Sequence, residues 1–220
     1  MENIKAVFFD YDNTLGNRYV SAYNTYAEMI DTLLKDVKMS EVEREAMLQD
    51  FLTYDQLGNV QTEYSVKRIE EKYAVNFHLD SPFDWWNVHH ARNAVLFEDV
   101  IPTLLELRKK YKLGIITNGR TFGQGAKIVN TGLDKYVDDY VISEEFHCAK
   151  PDPRLYEIAC ERLQVKPEEC VYVGDTFGND VLGAYRAHMI PIWIWPDNNT
   201  RPLQAEVLRI NKIGDLLEIL

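Results

Sequence analysis

The chain has little that could cross-link it, anchor it or bind it to a polyanion. Its three cysteines, Cys148, Cys160 and Cys170, are an odd number without metal-ligand spacing. That excludes a disulfide framework and fits a reducing compartment. No apolar run approaches the roughly 18 residues that a membrane-spanning helix needs, and no signal-peptide pattern precedes the first apolar stretch. Lys and Arg number 24 against 35 Asp and Glu, a formal net charge of −11, so neither a nucleic-acid polymer nor an anionic membrane is expected as a partner. Repeats and low-complexity segments are missing as well. These absences describe a soluble, cytoplasmic protein whose ligand can still be a small anion, provided the pocket is locally positive.

What is present is a core. The 220 residues are 46% hydrophobic and 12% aromatic, enough for one large domain or a core domain with a small insertion. The stretch from Val7 to Gly16 organises the rest: the apolar run Lys5 to Phe9 reads as a buried strand, and it ends in two carboxylates, Asp10 and Asp12, followed by Asn13, Thr14 and Gly16. In an open α/β sheet the carboxyl end of a central strand faces the ligand crevice. Two carboxylates held close there repel unless a cation or phosphate chemistry employs them.

After Gly16 the pattern turns helical for about eighty residues, and four helices are expected. Tyr23, Tyr26, Ala27, Ile30 and Leu33 recur at helical spacing, Ser40 with Glu43 is a capping-box signature, Thr62 is placed to cap a third helix, and Ser81-Pro82 opens a fourth. Such an insertion beside the first strand's carboxylates would act as a lid. Beyond it, strands at Lys112–Thr117, Tyr140–Ile142, Val171–Val173 and Ile190–Trp195 alternate with helices, Asp152-Pro153 caps one of them, and Leu203–Leu220 reads as a helical tail. Strands alternating with helices imply a parallel sheet covered on both faces.

Polar residues recur where these strands end: Asp10 and Asp12, then Thr117, Asn118 and Gly119, then Asp175 and Asp180, with Lys150 in the loop after the third strand. A parallel sheet brings all these ends to one edge. Carboxylates gathered there repel by several kcal/mol at protein-like screening, and a hard divalent cation such as Mg²⁺ resolves the repulsion through oxygen ligands. Thr117 can donate to a phosphate oxygen, the backbone amides of Asn118 and Gly119 at a strand-to-helix turn favour an anion, and Lys150 adds positive charge.

The arrangement resembles the haloacid dehalogenase-like hydrolases over nearly the whole chain. Asp10-x-Asp12-x-Thr14, Thr117-Asn118-Gly119, Lys150-Pro151 and Gly174-Asp175 with Asp180 are similar to the four motifs of that family, in its order. The resemblance implies an α/β, Rossmann-like parallel core of strand order 5-4-1-2-3, made of residues 1–16 and 93–220, with residues 17–92 as an inserted helical-bundle cap of the C1 type. It implies a Mg²⁺-dependent phosphatase in which Asp10 attacks phosphorus to form an aspartyl-phosphate. Asp12 would protonate the leaving alcohol and later activate water. Mg²⁺ would be held by the Asp10 carboxylate, the Asp12 backbone carbonyl and Asp175, with Asp180 in support, and Thr117, Asn118 and Lys150 would hold the phosphoryl group. Asn13 stands where many members carry glycine.

The substrate implied is a small phosphorylated metabolite, with a nucleoside 5′-monophosphate as one choice, since the C1-capped branch includes pyrimidine 5′-nucleotidases. Tyr19 and Tyr23, early in the cap, are candidate specificity residues. Three alternatives share the core residues or the fold: a sugar-phosphate mutase, a phosphonatase with a cap lysine, and a phosphate-binding module without turnover. Dehalogenases lack a carboxylate at the position of Asp12, which argues against that activity.

Overall fold

The computed structural model describes residues 3–195 and 203–220. The chain divides into two compact units, one of Met1–Asn17 with Leu96–Leu220 and one of Arg18–Val95. The first is built on a parallel sheet of β1 (Ala6–Phe9), β2 (Lys112–Thr117), β3 (Asp139–Ile142), β4 (Cys170–Gly174), β5 (Ile190–Ile194) and β6 (Leu208–Ile210), in the order β3-β2-β1-β4-β5-β6. The expected order of five strands is present, and β6 extends it by one at the edge.

β1 is central and buried on both faces, which is why it reads as an unbroken apolar run. Its side chains alternate between two cores. Val7 and Phe9 join Leu113, Ile115, Val171 and Val173 on one face, with Leu104 and Ile128 from covering helices. Ala6 and Phe8 join Ile116 and Tyr172 on the other, with Leu155, Tyr156 and Ala184. These helices are α5 (Val100–Leu107) and α6 (Thr121–Asn130) on the first face, and α8 (Pro153–Leu163) and α9 (Leu182–Arg186) on the second; α7 (Ser143–Phe146) is a single turn after β3. As expected, Asp152 caps α8 through the Arg154 amide with Pro153 in its first turn.

The tail differs from expectation. Leu208–Ile210 is a strand paired in parallel with β5, and Ile213–Glu218 is a 3₁₀ turn. Pairing with β5 brings Ile210 into the core, while Leu208 at the start of the strand stays exposed, so a long-range pairing overrides helix propensity. Asp215 accepts from the Asn211 and Lys212 amides and Gly214 donates to Asp99 at 2.8 Å, which fixes the turn that follows.

The second unit holds four helices, α1 (Arg18–Leu33), α2 (Glu41–Asp55), α3 (Thr62–Tyr73) and α4 (Pro82–Arg92). Ser40 and Glu43 form the expected capping box on α2, and Ser81 caps α4. Thr62 does not cap α3; Gln61 occupies that position, and Thr62 is the first helical residue, buried. Tyr26 stacks on Phe51 with ring centroids 4.3 Å apart and lies 4.4 Å from Trp86, forming the centre of this unit's core with Met29, Leu48 and Ile69. Beside it, buried Arg18 pairs through both terminal guanidinium nitrogens with buried Asp55, which also accepts from the Tyr26 hydroxyl at 3.0 Å and the Gly58 amide at 3.0 Å. No helix among the described residues is long and apolar enough to cross a membrane.

A buried charge that loses its partner typically costs 3–5 kcal/mol, whereas replacing both partners by apolar groups costs far less. Asp55→Ala is therefore expected to destabilise the helical unit by about 3–5 kcal/mol, and Arg18→Met with Asp55→Leu by clearly less. Urea unfolding followed by near-ultraviolet circular dichroism measures both; equal losses would show that the pair acts only by packing.

Candidate active site

β1 delivers Asp10 to the carboxyl edge of the sheet, where its amide continues the ladder by donating to Val173 at 2.9 Å. The chain then turns back on itself: the amides of Thr14, Leu15 and Gly16 all donate to the Tyr11 carbonyl, and Asn13 takes φ +59°. That is the left-handed region, which asparagine enters more readily than other residues with a side chain, so it can stand where the resemblance leads one to expect glycine.

β4 delivers Asp175, whose carbonyl accepts from the Trp193 indole at 2.7 Å. The following residues, Phe177–Val181, form one π-helical turn, a wide turn frequent at functional sites. It folds Asp180 back beneath the strand, where the side chain is buried and accepts from the Thr176 amide at 2.8 Å. Gly174 is what permits this: a Cβ there would lie 2.4 Å from the Asp180 side chain.

β2 ends at buried Thr117. The next side chain, Asn118, grips the backbone of Lys150 by accepting from its amide at 2.8 Å and donating to its carbonyl at 3.1 Å. Gly119, at φ +145°, donates its amide to Ser143 Oγ at 3.0 Å. Asn118 thus aims Lys150, whose buried ammonium donates to Asp10 Oδ1 at 2.6 Å, Asp180 Oδ1 at 2.7 Å and the Tyr172 hydroxyl at 2.9 Å. The Tyr172 hydroxyl in turn donates a hydrogen bond to the Ile116 carbonyl at 3.0 Å.

Carboxylate oxygens of Asp10, Asp175 and Asp180 all lie within 4.8 Å of one another. Burial pushes the Asp10 carboxyl well above the usual range; Lys150 opposes this, while Asp180 and Asp175 reinforce it. Burial and the neighbouring Asp180 raise Asp175 to about 7. Burial would lower the Lys150 ammonium, but Asp10 and Asp180 outweigh it and hold the group above its ordinary value. Three carboxylates against one ammonium leave uncompensated negative charge among hard oxygen donors, which is the donor chemistry a Mg²⁺ ion requires. Asp10, Asp175 and Asp180 fit such an ion.

The Asp12 carboxylate has other partners. Lys127 Nζ donates to its Oδ1 at 3.0 Å and its Oδ2 at 2.8 Å, and Gln124 Nε2 donates to Oδ2 at 3.0 Å. Neither residue was a sequence candidate, nor was Tyr172. The available signal was a polar pair three residues apart on an otherwise apolar helix face, which α6 turns inward. In the helical unit, Tyr19 is half-exposed and Tyr23 donates its hydroxyl to Glu45 at 2.9 Å.

A family model for haloacid dehalogenase-like hydrolases matches residues 4–188. Glyceraldehyde 3-phosphate phosphatase of Methanothermobacter thermautotrophicus is 32% identical over 220 residues, covering 96% of this chain and 92% of that protein. The Methanopyrus kandleri protein of the same name is 43% identical over 109 residues, only 48% of this chain and 47% of its own length. Human N-acylneuraminate-9-phosphatase is 28% identical, covering 100% of this chain and 93% of its own. Among solved structures, a HAD phosphatase from Thermococcus onnurineus superposes with a TM-score of 0.69 at 29% identity, over 98% of this chain and 97% of that one.

A carboxyl whose folded pKa lies above its unfolded value binds its proton more tightly in the folded state. Its contribution to stability is complete below the unfolded value of about 3.9 and is lost as pH rises through about 7 for Asp175. Without divalent metal, the melting temperature is therefore expected to fall as pH rises through this window, and Asp175→Asn to flatten the slope. Mg²⁺ at 100 times its dissociation constant should restore about 2.7 kcal/mol at high pH, with Ca²⁺ and EDTA as controls. A melting temperature that ignores both pH and Mg²⁺ would remove the metal assignment.

Proposed function

The chain belongs to the haloacid dehalogenase-like hydrolases and hydrolyses phosphate monoesters, and from that premise we propose a Mg²⁺-dependent phosphatase acting on a small metabolite through an aspartyl-phosphate on Asp10. The observation that carries this reading is the different treatment of two aspartates from one turn. Asp10 is buried against Lys150 among further carboxylates, while Asp12 is gripped separately by Lys127 and Gln124. Carboxylates placed in distinct environments take distinct roles.

Asp10 attacks phosphorus in line, forming one P–O bond as the ester P–O bond breaks. Lys150 holds the attacking carboxylate and offsets the charge that collects on the phosphoryl oxygens. Thr117 offers its hydroxyl to the same oxygens, and the Asn118 side chain fixes Lys150; the Gly119 amide, expected to favour the anion, donates instead to Ser143 Oγ in this structure. Asp12 gives its proton to the leaving alkoxide, then takes one from the water that attacks the aspartyl-phosphate. Mg²⁺ would be held by the Asp10 carboxylate, the Asp12 backbone carbonyl and Asp175, with Asp180 in support, and would supply Lewis-acid charge neutralisation.

The helical unit enters the chain between the Asp10–Asp12 turn and β2, and that insertion supports its role as a cap that excludes water and reads the leaving group. Tyr19 and Tyr23 are its proposed specificity residues. For the substrate, the names of the relatives favour a phosphate on a primary alcohol: glyceraldehyde 3-phosphate and N-acylneuraminate 9-phosphate both carry one. A nucleoside 5′-monophosphate shares that feature and stays on the proposed substrate panel.

Asp10→Asn is expected to abolish turnover of every ester. Asp12→Ala should cost on the order of 10²- to 10⁴-fold with an alkyl phosphate, and less in the first step with an aryl phosphate, whose leaving group needs no acid. A panel of these three phosphates and an aryl phosphate, assayed with Mg²⁺ and with EDTA, measures both. Phosphoryl return to substrate in place of free phosphate would identify a mutase instead.

A further inference from the structure

Asp12 is gripped from a helix that carries none of the four sequence motifs. α6 turns Gln124 and Lys127 inward, and both are buried. Lys127 spans both Asp12 oxygens, and Gln124 ties Oδ2 to the Asn118 carbonyl, to which it donates at 2.9 Å. Two features show that this grip is built into the fold. Gln124 keeps its amide at a cost: its Oε1 is buried with no hydrogen-bond partner among the described residues, which is unfavourable, so the two donations are what the amide contributes here. Gly119 makes room for it: a Cβ there would lie 2.8 Å from Gln124 Cγ.

We propose that Lys127 and Gln124 are positioning residues that fix the direction of the Asp12 carboxylate, so that proton transfer depends on α6 and attack by Asp10 does not. This rests on the phosphatase reading above. The two aspartates share none of these side-chain donors: Asp10 has Lys150, and Asp12 has Lys127 and Gln124. An acid or base must stay within hydrogen-bond reach of the proton it moves. Three donations to two oxygens remove the rotation about the terminal carboxylate bond that would otherwise spoil that reach. An aryl ester needs no acid in the first step but still needs Asp12 to deprotonate water in the second.

The test is Lys127→Met, studied by single turnover with an aryl phosphate and trapping of protein-bound phosphate. Phosphorylation of Asp10 should stay within about 3-fold of wild type while hydrolysis of the phosphoenzyme slows on the order of 10- to 100-fold, giving a burst and a trapped phosphoenzyme. Lys127→Arg, which keeps charge and donors, should recover most of the loss, and Gln124→Leu should show a smaller loss in the same step. The rise in melting temperature on adding Mg²⁺ should be the same in all three variants. Unchanged turnover in Lys127→Met, equal slowing of both steps, or no recovery with arginine would overturn the assignment. If Lys127→Met fails to fold by circular dichroism, Gln124→Leu decides by the same criterion, slowing of the second step alone. A wild type that forms no phosphoenzyme with any ester would instead bring down the phosphatase reading, and the proposed role with it.

Discussion

The fold is organised around one electrostatic problem: Asp10, Asp175 and Asp180 converge at the carboxyl edge of the sheet with one ammonium, Lys150, between them. Carboxylates this close, largely removed from water, repel one another, and burial with that repulsion holds Asp10 and Asp175 above the usual carboxylate range. Each surrounding element answers part of that problem. Asn118 spends its side chain on the Lys150 backbone, Tyr172 reaches from the sheet to share the ammonium, and the turn after β4 buries Asp180 against the Thr176 amide. The arrangement is incomplete without further positive charge, which is why its hard oxygen donors suit a divalent ion.

Keeping the two aspartates of the first turn apart is the second achievement of the fold. They are separated by one residue in sequence, yet Asp10 faces the β4 side of the crevice and Asp12 faces α6. The left-handed Asn13 and the amides that converge on the Tyr11 carbonyl fold the turn tightly enough to send them in different directions. One strand end thus presents two carboxylates to different partners, Asp10 to Lys150 and Asp12 to Lys127 and Gln124, the separation that the proposed division of roles calls for.

Much of this was legible in the sequence. Apolar runs that end in Asp10, Thr117 and Asp175 mark strand ends, and a parallel sheet leaves them only one edge to share. The partners of Asp12 were not legible, because helical spacing places Gln124 and Lys127 on one face without saying which face turns inward. That choice is made by tertiary packing of Ile128 into the sheet's core. The C-terminal strand escaped for a similar reason: Leu208–Ile210 is too short for periodicity to distinguish strand from helix, and its pairing with β5 is a long-range event. The cap of α3 falls on Gln61, one position before Thr62, within the ordinary spread of helix ends.

The close approach of Gly174 and Asp180 limits how this segment can vary. Since Asp180 returns to within a side chain's thickness of the strand it left, the path between them is a loop of fixed length closed at both ends. One side-chain position along it is open to change: at Gly178 a Cβ would meet no atom within 4 Å. Residue number is not. One insertion or deletion between positions 174 and 180 would rotate the acidic side chain out of the crevice, even with every charged residue retained, so here the spacing of the chain is under tighter constraint than its composition.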